Sequence, residues 1–258
     1  MTKIKEWLFR LWYWYISNVD KKAEVIFMNY GYYHPHQNVP LHKDDEVNRY
    51  SIQLYHLLAS SIDLKDKSLL EIGCGRGGGL FYVARHFPIR SASGVDLNKR
   101  ASKFSSEHYN IEGLRFMQGD AQKLSFENES FDVILNVESS HRYRDMQAFL
   151  GEVNRILRPG GHFLYTDFRY DHEMDDLHHQ ISNLGLNIVE KQNITPNVVN
   201  ALEKDDQRRR SLVKKLAPKL LWKIALNFSG AIGSETYNQF ASGKYEYFTY
   251  VLKKQNYA

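Results

Sequence analysis

Ser68-Leu69-Leu70-Glu71-Ile72-Gly73-Cys74-Gly75-Arg76-Gly77-Gly78-Gly79 is the stretch on which the fold turns. Ser68 to Ile72 reads as a short buried strand, and it runs straight into glycines. Leu80 to His86 reads as the helix that follows. Glycines at a strand end let the backbone turn tightly and approach a ligand with no Cβ in the way. The helix beyond points its first amides back at that place.

Working outward, the same rhythm repeats. Upstream, Val47, Tyr50, Leu54, Leu57 and Leu58 predict a helix over 46–61. Downstream, Ala92 to Val95 is a second strand, ended by Asp96, and 98–108 is a helix. Leu114 to Gln118 and Phe131 to Asn136 are the third and fourth strands. A helix over 144–157 stops at Pro159-Gly160-Gly161, followed by a fifth strand, His162 to Asp167. A helix over 172–184 and a strand over Asn187 to Gln192 complete the series. Such alternation predicts an α/β fold with a parallel sheet covered on both faces, and ligands at the carboxyl ends of the strands. Residues 196–243 break the rhythm as a helical cap insertion, and Tyr245 to Lys253 reads as a final edge strand within 244–258. The expected organisation is an aromatic N-terminal helical lid (1–45), a core (46–195), the cap and the closing strand. Trp7, Trp12, Tyr13, Trp14, Tyr15, Phe27, Tyr30, Tyr32 and Tyr33 crowd the lid. It is read either as a helix packed on the core or as a segment touching a membrane.

Composition bounds the function. At 258 residues, 43% apolar and 25% charged, the chain can bury a full core, which excludes wholesale disorder. The net charge of +4 is mild and spread, which argues against nucleic acid. The one cysteine, Cys74, excludes an intrachain disulfide and fits a reducing, cytoplasmic setting. No stretch has the roughly 20 apolar residues of a spanning helix, and no histidine spacing is a metal signature, so no metal is expected.

Three acids mark successive strand ends. Asp96 can accept two hydroxyls of a ribose at once, or simply cap the next helix. Asp120, in Gly119-Asp120-Ala121, can accept from an exocyclic amine while Ala121 offers an amide, or it serves a turn. The glycines alone also fit a dinucleotide, with Asp96 at about the ~20-residue distance of a ribose-binding acid. Glu71 weighs against that, because a carboxylate repels a pyrophosphate and favours an ammonium or sulfonium.

Glu-Ile-Gly-Cys-Gly-Arg-Gly, then Gly-Val-Asp, Gly-Asp-Ala, Phe-Asp-Val-Ile and Leu-Arg-Pro-Gly-Gly resemble the ordered motifs of class I methyltransferases, over roughly residues 68–168. The resemblance implies a Rossmann-like, seven-stranded, mostly parallel sheet with an antiparallel edge strand. It implies S-adenosyl-L-methionine as the methyl donor. Carried over, Glu71, Gly73 and Gly75 line the methionine end, with Cys74 between them as a small packing residue and not a nucleophile. Asp96, with Leu97 beside it, holds the ribose. Asp120 and Ala121 meet adenine, and Asn136 lies near the donor. Phe27-Met28-Asn29-Tyr30-Gly31-Tyr32 and Asn136-Val137-Glu138-Ser139-Ser140-His141 resemble small-molecule methyltransferases acting on sterols, polyketides and complex lipids, including the phthiotriol dimycocerosate type.

The expected reaction is O-methylation of a small apolar or lipid-like acceptor. His141, just past the fourth strand and with an ordinary pKa near ~6.5, is the candidate general base. Glu138 either orients it or serves as base itself. Tyr30 and Tyr33, with His141, are expected on the acceptor. The stretch from Arg208 to Phe228 mixes basic and apolar residues, so it reads as an amphipathic cap or as a peripheral contact with an anionic membrane. Methylation at carbon or nitrogen, a donor-binding relative with altered chemistry and an NAD-dependent oxidoreductase are the competing readings.

Overall fold

A computed structural model describes Asp20, residues 23–37 and residues 39–256. The aromatic cluster from Trp7 to Tyr15 lies outside the described residues.

Seven strands form one sheet: β1 (Ser68–Ile72), β2 (Ser91–Asp96), β3 (Leu114–Gln118), β4 (Phe131–Val137), β5 (Leu157–Tyr170), β6 (Leu186–Asn193) and β7 (Tyr245–Lys254). Their order is β3-β2-β1-β4-β5-β7-β6. The first five are parallel neighbours, while β7 runs antiparallel to both β5 and β6. The helices are α1 (Arg49–Ala59), α2 (Gly78–His86), α3 (Lys99–His108), α4 (Met146–Ile156), α5 (Met174–Ser182), α6 (Thr195–Leu216), α7 (Trp222–Phe228) and α8 (Glu235–Ala241). This is the Rossmann-like α/β architecture expected.

Strand periodicity builds the two halves of the core. Leu69, Val133, Leu135, Leu164, Tyr247 and Val251 point to one face, against Ile52, Leu58, Leu80, Val83, Val198 and Leu202. Their chain neighbours Leu70, Ile134, Phe163, Phe248 and Leu252 point to the other, against Phe149, Val153, Ile156, Leu177 and Ile181. Helix starts are set by local chemistry. Asn98 caps α3 by accepting from the amides of Arg100 and Ala101, Asp145 caps α4 through Ala148, and Ser234 caps α8 through Tyr237.

Two expectations need correction. The closing strand is antiparallel but not an edge: β7 sits between β5 and β6, with residues 247–252 all buried. The edge is β6, whose residues 187–193 are exposed. The described part of the lid, from Asp20 to about residue 45, forms no helix. It is a strap of extended chain and turns that crosses the carboxyl ends of the strands. The cap is helical as expected, made by α6, α7 and α8.

Candidate active site

One cavity of about 1560 Å³ opens at the carboxyl ends of the parallel strands. That exceeds the roughly 300–1,000 Å³ of a pocket for one small ligand, so it has room for two substrates. Its floor is the turn after each strand: Gly73, Cys74 and Gly75 after β1, Asp96 and Leu97 at β2, Asp120 and Ala121 after β3, Glu138 and His141 after β4. Its roof carries an apolar patch, Phe27 and Met28 of the strap with Leu212, Leu216 and Phe228 of the cap, beside the charged Glu24, Arg208 and Arg209.

The glycine loop is held from below. Gly73 has φ +77°, and a Cβ there would meet Ser139 Oγ at 2.3 Å, so only glycine lets the loop close on that serine. The amides of Gly73 and Cys74 donate to the carbonyl of Val95 at 2.7 and 3.1 Å. Asp96 accepts from the amides of Gly75 and Asn98, both at 2.8 Å, one on each carboxylate oxygen. Each oxygen therefore keeps a lone pair for a ligand. Asp120 takes both bonds from Gln122 on Oδ1. Leu97, 65% exposed, stands beside Asp96 on the cavity wall. Burial, helped by Asp96 and Glu71, pushes the Cys74 thiol well up, which leaves it inert.

Three expected site residues do not reach the cavity wall. Glu71 is fully buried beneath the loop, with its Oε1 accepting from Tyr55 at 2.7 Å. Burial raises its pKa to about 8, against the opposing pull of the Tyr55 bond. Asn136 is fully buried and spends its amide on the Ile72 carbonyl, Ser139 Oγ and the Tyr143 hydroxyl. Tyr33 turns away, edge-on to Tyr50 at 6.0 Å, with the Lys204 ammonium 4.5 Å above its ring.

His141 lies on a short helical turn, Ser140–Arg142, at the cavity. Its Nδ1 is 2.7 Å from Asp167 Oδ1, and its amide donates to Asp167 Oδ2 at 3.0 Å. Nδ1 is therefore assigned the proton, because an ionised carboxylate can only accept. Burial alone would raise the Asp167 pKa, but His141 and Arg169 hold it below the usual carboxylate range. His141 itself is lowered, because burial outweighs Asp167. Arg142 Nε donates to His141 Nε2 at 3.1 Å, which puts the lone pair on that nitrogen.

Glu138 does not orient His141; Asp167 does. Glu138 instead clamps the strap to the core, accepting on Oε1 from the Tyr30 amide at 2.6 Å and from the Tyr247 hydroxyl. It adopts φ +45°, unusual for a side chain larger than glycine, and burial raises its pKa to about 8. Asp167, at the carboxyl end of β5, is the site residue that the expectations missed. Its signal was its position at a strand end in line with Asp96. Arg209 was also missed: it is buried, pairs with Asp205, and donates to the carbonyls of Tyr30 and Ser229 at 2.9 and 2.8 Å. The triple arginine is thus paired with acids of its own helix, Arg208 with Asp205 and Arg210 with Asp206.

The residues fit S-adenosylmethionine better than a dinucleotide. Glu71 Oε2 is a buried carboxyl oxygen with no hydrogen-bond partner among the described residues. The one cation of the glycine loop, Arg76, is buried and already paired with Asp20 and stacked over the Phe104 ring, which leaves it a poor partner for a pyrophosphate. No group of three or more metal-ligating side chains occurs among the described residues.

Comparison with known proteins agrees. Residues 70–165 match the methyltransferase domain family. The chain is 43% identical to the fatty-acid O-methyltransferase of Mycolicibacterium smegmatis, over 85% of this chain and 80% of that one. It is 34% identical to the phthiotriol/phenolphthiotriol dimycocerosates methyltransferase of Mycobacterium leprae, over 98% and 94%. The crystal structure of the cyclase SpnF superposes with a TM-score of 0.73 at 16% identity, over 98% of this chain and 97% of that one, a likeness of fold. The chain belongs to the S-adenosylmethionine-dependent methyltransferases. It is an enzyme whose methyl donor is S-adenosylmethionine, and the nicotinamide reading falls.

Proposed function

We propose that the enzyme O-methylates a lipid-like acceptor, with His141 as general base and Asp167 as the residue that positions it. The observation that carries this reading is the His141–Asp167 pair, at 2.7 Å, on the same cavity as the glycine loop and the apolar patch of the roof. The relatives named for fatty acids and for phthiotriols point to the same class of acceptor.

Bound S-adenosylmethionine supplies an electrophilic methyl group on a sulfonium. Gly73, Cys74 and Gly75 would bring backbone against its methionine end, with the Glu71 carboxyl beneath. Asp96 would accept the ribose hydroxyls beside Leu97, and Asp120 and Ala121 would meet the adenine edge. Asn136 serves this arrangement indirectly, by tying Ile72 to the Ser139–Tyr143 turn.

His141 Nε2 carries the lone pair, so it takes the proton of an acceptor hydroxyl that replaces Arg142 as its partner. Asp167 keeps the proton on Nδ1 and stabilises the imidazolium that forms. Tyr30, which reaches the cavity, and Phe168, 4.5 Å from the His141 ring, wall the acceptor's reacting end. The strap and cap exclude water. Glu138 holds the strap in place and is not the base in this reading.

No helix among the described residues is long and apolar enough to cross a membrane. We infer a cytoplasmic enzyme that meets its acceptor at a membrane surface. The test is an acceptor screen of long-chain alcohols, phenols and hydroxylated lipids, with His141→Gln alongside. Turnover that His141→Gln abolishes while S-adenosylhomocysteine binding persists supports the reading. Full turnover by the variant removes His141 from the chemistry.

A further inference from the structure

We propose that the turn Lys219–Leu221 between α6 and α7, with the lysines around it, is the face that seats this enzyme on an anionic lipid surface. The proposal rests on the reading of a lipid-like acceptor, and adds the place where the protein meets the lipid phase.

Between Gln207 and Ser234 the sequence has seven basic residues and no acid. Arg208, Arg209 and Arg210 are consumed by Asp205 and Asp206, and Lys215 pairs with Glu24 of the strap. Lys214, Lys219 and Lys223 remain exposed. They bracket Leu220, which is 91% exposed, the most exposed of the large apolar residues described. An apolar side chain presented among lysines is the composition of an interfacial contact. The leucine enters the acyl boundary while the ammonium groups meet the phosphates.

The place in the fold matters as much as the composition. The inner sides of α6 and α7 carry Leu212, Leu216, Ala225 and Phe228, which line the roof of the cavity. The turn is therefore the outer tip of the cavity's own apolar wall. Glu24, the partner of Lys215, also lines the cavity. A phosphate that draws Lys215 off Glu24 loosens the join between strap and cap, where an acyl chain would pass. A second copy of the chain is a poor occupant, because a two-fold contact would set these lysines against each other.

The test is co-sedimentation of the full chain with phosphatidylcholine vesicles, with and without phosphatidylglycerol, across a salt series. Binding that requires phosphatidylglycerol and weakens with salt is expected. Lys214→Gln/Lys219→Gln/Lys223→Gln should bind roughly 100-fold more weakly, about fivefold for each lysine. Leu220→Ser should lose roughly tenfold. Neither variant touches the cavity, so S-adenosylhomocysteine affinity by calorimetry and turnover of a short-chain soluble acceptor should stay unchanged. Equal binding to both vesicle types overturns the proposal, as do variants that bind like the wild type. So does a dimer, seen by sedimentation velocity, that Leu220→Ser dissolves. Methylation of a detergent-dispersed lipid by an enzyme that ignores vesicles strikes the docking face alone. Vesicle binding with no lipid methylated in detergent strikes the acceptor reading alone.

Discussion

At the scale of single residues, His141 and Asp167 decide the chemistry. His141→Gln should lower kcat by about 10²–10⁴-fold with little change in S-adenosylhomocysteine affinity. Asp167→Asn should cost on the order of 100-fold, because the amide can turn the ring to the wrong tautomer. The pH dependence has a definite sign. A base works when deprotonated, and burial lowers the His141 pKa, so kcat/KM should hold to below the ordinary histidine value of about 6.5. A limb well above neutrality in the kcat/KM profile would contradict the assignment. Glu71 makes a separate prediction for stability. Its folded pKa, about 8, lies above its unfolded value, so its contribution is fully present at acid pH and is lost as pH rises toward 8. Glu71→Gln should therefore raise the Tm of the donor-free enzyme more at pH 8 than at pH 5, as calorimetric scans at the two values would show. The acids at the strand ends were legible in the sequence because strand-end position can be counted. The burial of Glu71 and Asn136 was not, since it depends on how Tyr55 and Tyr143 pack across the turn. Nor was the bond from His141 to Asp167, which joins groups on two different strand ends.

At the scale of elements, the strap and the cap form one roof. Arg209 joins them, linking Asp205 of α6 to the carbonyls of Tyr30 and Ser229. Arg209→Met should destabilise the protein by about 3 kcal/mol or more, by leaving buried acceptors unpaired. The KM for the acceptor should rise more than the Kd for the donor, since the floor of the cavity is untouched. Equilibrium unfolding and a comparison of the two constants check this. The loop–strap seam is equally close: a Cβ on Gly78 would meet the Ile26 carbonyl at 2.7 Å. Most elements were legible from alternation and turn residues, but the strap's lack of helix was not, because its order comes from distant partners. Asp20 accepts the amides of Glu24 and Val25 and pairs with Arg76, and Glu138 takes the Tyr30 amide. The place of β7 had a signal that alternation hides. Its run Tyr247-Phe248-Thr249-Tyr250-Val251-Leu252 is apolar on both faces, as an interior strand needs, whereas β6 is mostly polar.

At the scale of the whole molecule, floor and roof divide the work. The sheet supplies fixed strand ends for the donor, and the strap and cap supply an apolar space for the acceptor. If that space holds an acyl chain, each added methylene should raise kcat/KM by about fourfold, equivalent to ~0.8 kcal/mol, until the cavity is full. A series of straight-chain acceptors measures this, and a flat series would remove the roof from recognition. The most direct test of the central claim is transfer of a radiolabelled methyl group from S-adenosylmethionine to a long-chain hydroxylated lipid, assayed by extraction into organic solvent. The account predicts label in the lipid with the wild type, held as an ether methyl that survives alkaline hydrolysis, and its loss with His141→Gln. Label appearing only in water-soluble products, or equally with His141→Gln, would contradict it.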